Sequence, residues 1–316
     1  MTLGAVGTAF KAYWKEESVE GTAPSGDWDQ FPCFALAIGA ATGLQADSVL
    51  SSNARRNAAD PYRSVARVEG SARVPVETSH FGWWLQLLFG APSTSGSTNY
   101  THVYKSGGTS FATRSIERAF SDVTRYEVAS GVRANTMEVG IGPDGAADAT
   151  IGLLCLSEAH AGSSAAGTPV VTTYTRFHRT QGSIQRGGSP LAGVTGGTLR
   201  FGNGLVAVPT VGSGAGIGGV DMGEVTGGGS VTLRFADHTL EALARAGTAT
   251  TLTFALTIDS NTSVTFHYPR IFLEPTAPAV DGPGGITRSY NFIAADDTST
   301  ASLLTVTYKN QVASYA

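Results

Sequence analysis

The stretch VARVEGSARVPVETSHFGWWLQLLFGAP, residues 65–92, decides the fold class. Its first half alternates between two sets of residues with a period of two, which is typical of a strand with one buried and one wet face. Pro75 has no N–H and predicts an edge or a gap in the hydrogen-bond ladder. The face expected to be buried carries Ala66, Val68, Gly70, Ala72, Val74 and Val76, and the other carries Arg67, Glu69, Ser71, Arg73, Pro75 and Glu77.

The second half of the stretch predicts a short helix from Phe81 onward, with Thr78 or Ser79 as its N-cap. At about 100° per residue, only Gly82 and Gln86 face water. A helix that is apolar nearly all round is buried on more than one side. One side of this helix carries Phe81, Trp84, Leu85 and Leu88, and the opposite side carries Trp83 and Leu87.

The bulky second side of the helix needs a partner of its own. We therefore expect Trp83, Trp84 and Leu87 to contact another subunit or ring. The alternative is that an arm or loop of the same chain covers Trp83, because buried tryptophans are common and large exposed apolar patches are not.

Composition places the chain among β-rich proteins. Of 316 residues, 40 are glycine and only 15% are charged, which favours short strands joined by turns. The formal net charge of −4 argues against a surface that grips nucleic acid. Cys33 and Cys155 lie in apolar contexts and are expected to be buried reduced thiols. We find neither a signal peptide nor an apolar run long enough to span a bilayer, so we expect synthesis and folding in a cytoplasm, without a membrane.

The order of predicted elements occurs twice. After strands near 100–105, 110–120, 124–141 and 149–157, residues 227–247 align with 68–88, with Gly229 matching Gly70. A repeated order of this kind predicts two copies of one unit: strand, long loop, strand, short helix, then several strands. The predicted organisation is an N-terminal arm (1–32), a first unit (33–158), a linker (159–180) and a second unit (181–316).

The polar residues do not assemble into a recognisable chemical site. None of the histidines has metal-ligand spacing, no nucleophile elbow is present, and the glycine run 211–219 lacks the lysine of a phosphate-binding loop. We therefore predict no catalytic, metal or cofactor site and expect a structural protein rather than an enzyme.

Several segments carry a resemblance to a known family. They are GTAFKAYWKEESVEGTAP (7–24), LSSNARRNAADPYRS (50–64), VEGSARVPVETSHFGWWLQLLFGAP (68–92) with YTHVYKSGG (100–108), GPGGITRSYNFIA (282–294) and SLLTVTYKN (302–310). In these segments the chain resembles the major tail proteins, or tail tube proteins, of long-tailed bacteriophages. The resemblance covers most of the chain, although no single motif is diagnostic.

The resemblance implies a β-sandwich or barrel unit with one flanking helix and a long loop. Family members close into rings by joining sheets edge to edge, and the rings stack into a hollow tube through which DNA leaves the capsid. Two units per chain depart from the family's single unit and predict a homotrimeric ring with pseudo-sixfold symmetry. The implied location is the virion tail. The implied partners are further copies of the chain and the tail-tip, tape-measure and tail-terminator proteins, with DNA only passing through the lumen.

The resemblance also assigns roles to the polar residues of the stretch and of the loop 44–64. The loop and the arm would reach the neighbouring ring, which makes Arg55, Arg56, Asp60 and Tyr62 candidate contacts. The strand face with Arg67, Glu69, Arg73 and Glu77 has mixed charge and is a candidate for either the lumen or the outer wall.

Two other functions stay open at this stage. An adhesion or glycan-binding module would present a cleft of exposed Trp or Tyr, which fits poorly with tryptophans on an apolar helix. A β-rich hydrolase would need a paired acid and base, and the sequence does not supply an obvious pair.

Overall fold

The computed structural model of the chain describes residues 4–41, 43–46, 60–64, 67–210, 216–277 and 282–315. The fold is mainly β with two short helices, as predicted. The elements of the first half are β1 Phe10–Glu16, β2 Asp29–Gln30, β3 Ala35–Ala41, β4 Leu44–Gln45, β5 Tyr62–Arg63, β6 Arg67–Pro75, α1 Phe81–Phe89, β7 Ser93–Gly96, β8 Tyr100–Lys105, β9 Arg114–Phe120, β10 Arg125–Ile141, β11 Asp148–Cys155, β12 Ser157–Ala161 and β13 Val170–Val171.

The second half contains one helix and the remaining strands. They are β14 Gly182–Arg186, β15 Ser189–Pro190, β16 Val194–Gly202, β17 Leu205–Val208, β18 Gly219–Met222, β19 Thr226–Arg234, α2 Thr239–Ala246, β20 Thr250–Asp259, β21 Thr262–Leu273, β22 Thr287–Ala294 and β23 Thr305–Asn310. Short 3₁₀ turns occupy Ser121–Val123 and Arg179–Gln181.

One long antiparallel sheet, which we name the central sheet, runs through both halves. Its strand order is β3–β6–β11–β10–β16–β19–β22–β21. The first side sheet has the order β13–β2–β1–β9–β10–β12. The second side sheet has the order β15–β14–β20–β21–β23–β8–β7.

Two long strands join the side sheets to the central sheet. The start of β10 pairs with β9 and β12, and its end pairs with β11 and β16. The change occurs at a bulge beside Gly131, which has φ of 65°. The start of β21 pairs in the same way with β20 and β23, and its end pairs with β22. A bulge bends the strand and lets one chain segment serve two sheets.

The same pairing order therefore occurs twice along the central sheet. In the first half it is β3–β6–β11–β10, and in the second half it is β16–β19–β22–β21. The register also corresponds, because Ile38 pairs with Gly70 and Leu199 pairs with Gly229.

The N-terminal region differs from the predicted arm. Strand β1 pairs along its whole length with β9, and the side chains of Trp14 and Trp28 are completely buried. The alternation that marks a strand is short here and interrupted by Lys11 and Lys15, so the sequence alone did not reveal it. The predicted linker is also packed, because Ala166 and Phe177 within it are completely buried.

The two halves also exchange strands. The hairpin β7–β8, which lies within the predicted first unit, pairs with β23 of the second. The C-terminal segment then returns to α1, where Tyr315 is completely buried. Contacts between the halves therefore extend beyond the central sheet.

Strand β6 follows the predicted alternation. Val68, Ala72 and Val74 are buried, whereas Arg67, Glu69 and Arg73 are exposed. Pro75 is buried and lies opposite Asp148 at the end of the ladder. Glu77, predicted on the same wet face, has only 1% of its surface exposed. The strand ends at Pro75, so the period of two no longer determines where the Glu77 side chain points.

The Glu77 carboxylate instead lies at the start of α1. It accepts hydrogen bonds from the backbone N–H groups of Ser79, His80 and Phe81 at 2.6, 2.6 and 2.7 Å. The N-cap position is His80, and no side chain at that position caps the helix. Glu77 therefore takes the capping role that the sequence assigned to Thr78 or Ser79, and its negative charge suits a helix N-terminus.

The predicted wet stripe of α1 is also covered. Gly82 lies under Tyr315, since a Cβ there would be 2.3 Å from the tyrosine Cζ. Gln86 is buried and accepts a hydrogen bond from Arg114 at 3.3 Å. Both covering residues are distant in sequence, so the helical period could not anticipate them.

Candidate assembly surface

Strand β3 forms one edge of the central sheet. Among the residues that the structure describes, β3 pairs with β6 alone. Its alanines Ala35, Ala37, Ala40 and Ala41 are all exposed. An unpaired edge of this kind offers backbone donors and acceptors to another strand.

Strand β16 occupies the corresponding position in the second half, and its edge is filled. It pairs with β19 on one side and with the end of β10 on the other. Glu138 lies opposite Arg200 across this junction, and their side chains form an ion pair at 2.8 Å. The chain thus contains one complete edge-to-edge joint between its two halves.

The hairpin β17–β18 adds a second contact between the halves. Leu205 and Ile217 of the hairpin region pack against Leu154 on β11, and these three side chains are 6–7% exposed. Asn135 brackets the backbone of Leu205, because its Oδ1 accepts the Leu205 N–H at 2.9 Å and its Nδ2 donates to the Leu205 carbonyl at 3.3 Å. Our sequence analysis did not identify these residues, although Gly43-Leu44 and Gly204-Leu205 repeat after the two equivalent strands.

A row of polar residues crosses the junction between the two halves on the solvent face of the central sheet. Arg73, Thr150, Glu138 and Arg200 lie side by side on four adjacent strands. Asp148 forms ion pairs with Arg73 at 2.6 Å and with Arg179 at 2.8 Å. The predicted face with Arg67, Glu69 and Arg73 belongs to this surface, and the Arg73 charge is paired with Asp148.

The predicted interface residues of α1 are located inside the chain. Trp84 and Leu87 have 1% and 0% of their surface exposed, and Trp84 packs on Trp14 with ring centroids 4.8 Å apart. They could therefore affect a subunit contact only through their neighbours. Trp83 is half-buried, with the Tyr315 ring 5.0 Å away and the Arg114 guanidinium 4.2 Å above it. Two residues of the same chain therefore cover Trp83, which agrees with the alternative that an arm or loop of its own chain packs on it.

Burial shifts the pKa values of Arg114 and of the two cysteines. Burial lowers the pKa of Arg114 to about 10, while Glu16 opposes the change. Burial raises the pKa of Cys33 to about 11 and that of Cys155 still further, so both stay protonated thiols at neutral pH. The guanidinium of Arg114 lies between Trp14 and Trp83, where cation–π contacts offset part of its lost hydration.

The predicted loop contacts are only partly within the described ranges. Arg55 and Arg56 lie outside the described residues. Asp60 and Tyr62 are exposed, and Tyr62 pairs with Gln45 at the base of the hairpin β4–β5.

One group of side chains has the spacing of metal ligands within the described part of the chain. Glu127, Glu158 and His160 bring ligand atoms within 4.8 Å of one another. Arg118 forms ion pairs with Glu127 at 2.6 Å and with Glu158 at 2.7 Å. The Arg118 guanidinium bridges the two carboxylates, and Arg125 forms a further ion pair with Glu127 at 2.7 Å, so two arginines offset the charge of the two carboxylates.

Comparison with known proteins identifies the family. A family model described as phage tail tube protein matches residues 11–294. A comparison with curated proteins gives no match. Neither helix in the described part of the chain has the length and apolar character needed to cross a bilayer. Since the family model spans most of the sequence, the chain belongs to the phage tail tube protein family.

Proposed function

We propose that copies of this chain join head to tail through the edges of their central sheets, close into rings, and stack into the tail tube of a virion. The observation that carries this proposal is the joint between β10 and β16. It connects two halves with the same strand order, and within the described ranges no second strand pairs with the same edge of β3. Repeating the joint between chains removes the exposed edge.

The repeated strand order also supports the ring size. If each half takes the place of one subunit in a sixfold ring, a trimer of this chain closes it with pseudo-sixfold symmetry. The joint between chains differs from the joint within the chain, because β10 continues to Ile141 and pairs with β16 from Thr136 onward, whereas β21 ends at Leu273. Pro275 directly follows the exposed Glu274 beyond β21, and a proline supplies no N–H to a neighbouring strand.

The solvent face of the central sheet suits the lumen of the tube. Thr150, Ser230 and Thr232 are small polar residues on this face, and the ion pairs at Asp148 and Glu138 neutralise nearby arginines. Fixed, unpaired cations would bind DNA phosphates and slow its passage. We therefore assign Arg67, Glu69 and Arg73 to the lumen side, and Glu77 to the interior.

A position in the virion tail also implies contacts with other tail proteins and with DNA. The tube would meet tail-tip, tape-measure and terminator proteins at its ends and along its length, and DNA would pass through without being held. The loop with Arg55, Arg56, Asp60 and Tyr62 would contact the neighbouring ring. The role is structural and needs no catalytic group or cofactor.

Electron microscopy of the purified chain tests the assembly. We expect concentrated protein to give rings or stacked tubes with a central hole, and end-on class averages with threefold or sixfold symmetry. Light scattering coupled to gel filtration measures the mass of the smallest closed species. Compact monomers that persist at high concentration, and also after addition of tail-tip components, would contradict the proposal.

A further inference from the structure

The hairpin β4–β5 is the counterpart of the hairpin β17–β18. Leu44 lies six residues after Ile38, and Leu205 lies six residues after Leu199. The same hydrogen bond closes both hairpins, from Ser64 N–H to the Gly43 carbonyl at 2.9 Å and from Gly223 N–H to the Gly204 carbonyl at 3.0 Å. Leu44 and Leu205 are thus equivalent by register and by local geometry.

The surfaces that receive these leucines are also equivalent. Leu154 pairs with the residue before Gly70, and Ile293 pairs with the residue before Gly229. Leu154 is 6% exposed because Leu205 packs on it, whereas Ile293 is 58% exposed. Leu44 itself is 69% exposed. The pair Leu205 and Leu154 is therefore buried within the chain, whereas both members of the equivalent pair, Leu44 and Ile293, are exposed.

A groove surrounds Ile293. It has a volume of about 690 Å³, and Thr226, Gly228, Glu274 and Asn291 line it together with Ile293. The equivalent groove in the first half is lined by Leu154 and Asn135, and the segment Leu205–Ala207 forms another part of its wall. Leu273 pairs with Phe292, and Glu274 is the next residue along the chain. Ala134 pairs with Leu153 in the same way, and Asn135 is the next residue. Glu274 and Asn135 therefore occupy equivalent positions. The Ile293 groove thus has an equivalent base and an equivalent neighbouring residue, Glu274, but no hairpin from the described part of the chain packs in it.

Leu44 cannot fill the Ile293 groove of its own chain. Strands β3 and β22 are six positions apart in the central sheet. At about 4.8 Å per strand the separation is roughly 30 Å. The occupant must therefore come from a second copy.

We infer that Leu44 of one copy packs on Ile293 of the next copy, in the arrangement that Leu205 and Leu154 adopt within the chain. The Glu274 carboxylate then accepts the Leu44 N–H, as Asn135 Oδ1 accepts the Leu205 N–H. A carboxylate cannot donate, so the second bond that Asn135 makes has no counterpart. This inference rests on the proposed ring and specifies which surfaces meet in it. The contact is head to tail, because the donor hairpin and the receiving groove are different surfaces.

Cysteine cross-linking tests the contact directly. We would prepare Leu44→Cys/Ile293→Cys in a Cys33→Ser background, assemble it, oxidise it and analyse it on a denaturing gel without reductant. Leu154→Cys/Leu205→Cys reproduces the same geometry within one chain and is the positive control. Leu44→Cys/Ser289→Cys is the matched negative control, because Ser289 lies four residues along β22 from Ile293. This displacement is about 13 Å, beyond the reach of a disulfide.

We expect covalent dimers and trimers from Leu44→Cys/Ile293→Cys. The Ser289 control should give at least tenfold less cross-linked product. If microscopy shows rings but cross-linking equals the control, the Leu44–Ile293 contact is wrong while the proposed ring stands. If neither this variant nor the wild type assembles, even after addition of tail-tip components, and no cross-links appear, both the contact and the ring are wrong.

A charge exchange gives a second test that does not depend on cysteine chemistry. Leu44→Asp is expected to abolish ring formation without changing the melting temperature of the monomer, because Leu44 is exposed there. Leu44→Asp/Ile293→Lys places an opposite charge at every contact and should restore rings. Ring formation by Leu44→Asp at the wild-type protein concentration would overturn the inference.

Discussion

Gly70 and Gly229 occupy equivalent places in the two halves of the central sheet. A Cβ at Gly70 would lie 1.8 Å from the Ala37 carbonyl oxygen, and one at Gly229 would lie 2.0 Å from the Thr198 carbonyl oxygen. Both oxygens belong to the strand that leads into a long hairpin. The close backbone approach places each hairpin at the same position relative to its sheet, which is the basis of the equivalence between Leu44 and Leu205.

The first prediction concerns this close approach. Gly70→Ala and Gly229→Ala should each lower the free energy of unfolding by about 2–3 kcal/mol, because the methyl group meets backbone that cannot rotate away. Urea unfolding measures the change. Gly219→Ala is the control, since nothing lies within 4 Å of its added Cβ, and it should stay within about 0.5 kcal/mol of the wild type. Equal stabilities of Gly70→Ala and Gly219→Ala would show that the strands can separate freely.

The second prediction concerns the cap of α1. Glu77→Gln should lower the free energy of unfolding by about 2 kcal/mol, because one amide NH₂ would then face backbone N–H donors that the carboxylate accepts. Glu69→Gln, an exposed change on the preceding strand, should alter it by no more than about 0.5 kcal/mol. Thermal unfolding followed by circular dichroism compares the two. A Glu77→Gln protein as stable as Glu69→Gln would rule out the capping role.

The third prediction concerns the C-terminal tyrosine that covers α1. Tyr315→Ala leaves a cavity over Gly82 and beside Trp83, and should cost about 3–5 kcal/mol. Tyr315→Phe keeps the ring but loses two hydrogen bonds, one donated to the Ser79 carbonyl at 2.6 Å and one accepted from Asn310 Nδ2 at 2.7 Å, and should cost about 2 kcal/mol. Chemical unfolding gives both values. Increased quenching of tryptophan fluorescence by iodide in Tyr315→Ala would report the exposure of Trp83, and unchanged quenching would contradict it.

The fourth prediction is a pH dependence at α2. Hydrogen bonds and ion pairs with His238, Arg288 and Arg245 lower the pKa of Glu241 from 4.5 to about 2. A carboxyl group with a depressed folded-state pKa contributes stability that is fully present above pH 4.5 and is lost as the pH falls through about 2. Glu241→Gln should therefore be less stable than the wild type at pH 7, and the difference should shrink below pH 4.5. A difference that stays constant across this range would show that the charge is not responsible.

The fifth prediction locates the lumen. In a Cys33→Ser background, Thr150→Cys on the central sheet should react with a small maleimide both before and after assembly. A maleimide on a large polyethylene glycol should label it only before assembly, because the lumen excludes the polymer. Arg125→Cys on the first side sheet is the control and should react with both reagents in either state. Labelling of assembled Thr150→Cys by the large reagent would place the central sheet on the outer wall.

Local patterns in the sequence predicted the elements well. The period of two from Arg67 to Val74, the helix beginning at Phe81 and the strands at 100–105 and 125–141 all occur in the structure. Each of these elements is determined by residues close to one another in sequence. The backbone geometry of a strand or helix fixes which of these residues share a face, so their spacing predicts the element. The matching of residues 227–247 with 68–88 follows for the same reason.

Tertiary structure alone decided which surfaces are covered. Gly82 and Gln86 face outward on a helical wheel, yet Tyr315 and Arg114 cover them. Leu44 and Leu205 follow equivalent strands, but only Leu205 meets a partner within the chain. Spacing along the sequence determines the direction of a side chain, whereas its burial depends on segments that are distant in sequence and, at Leu44 and Ile293, on the proposed second copy.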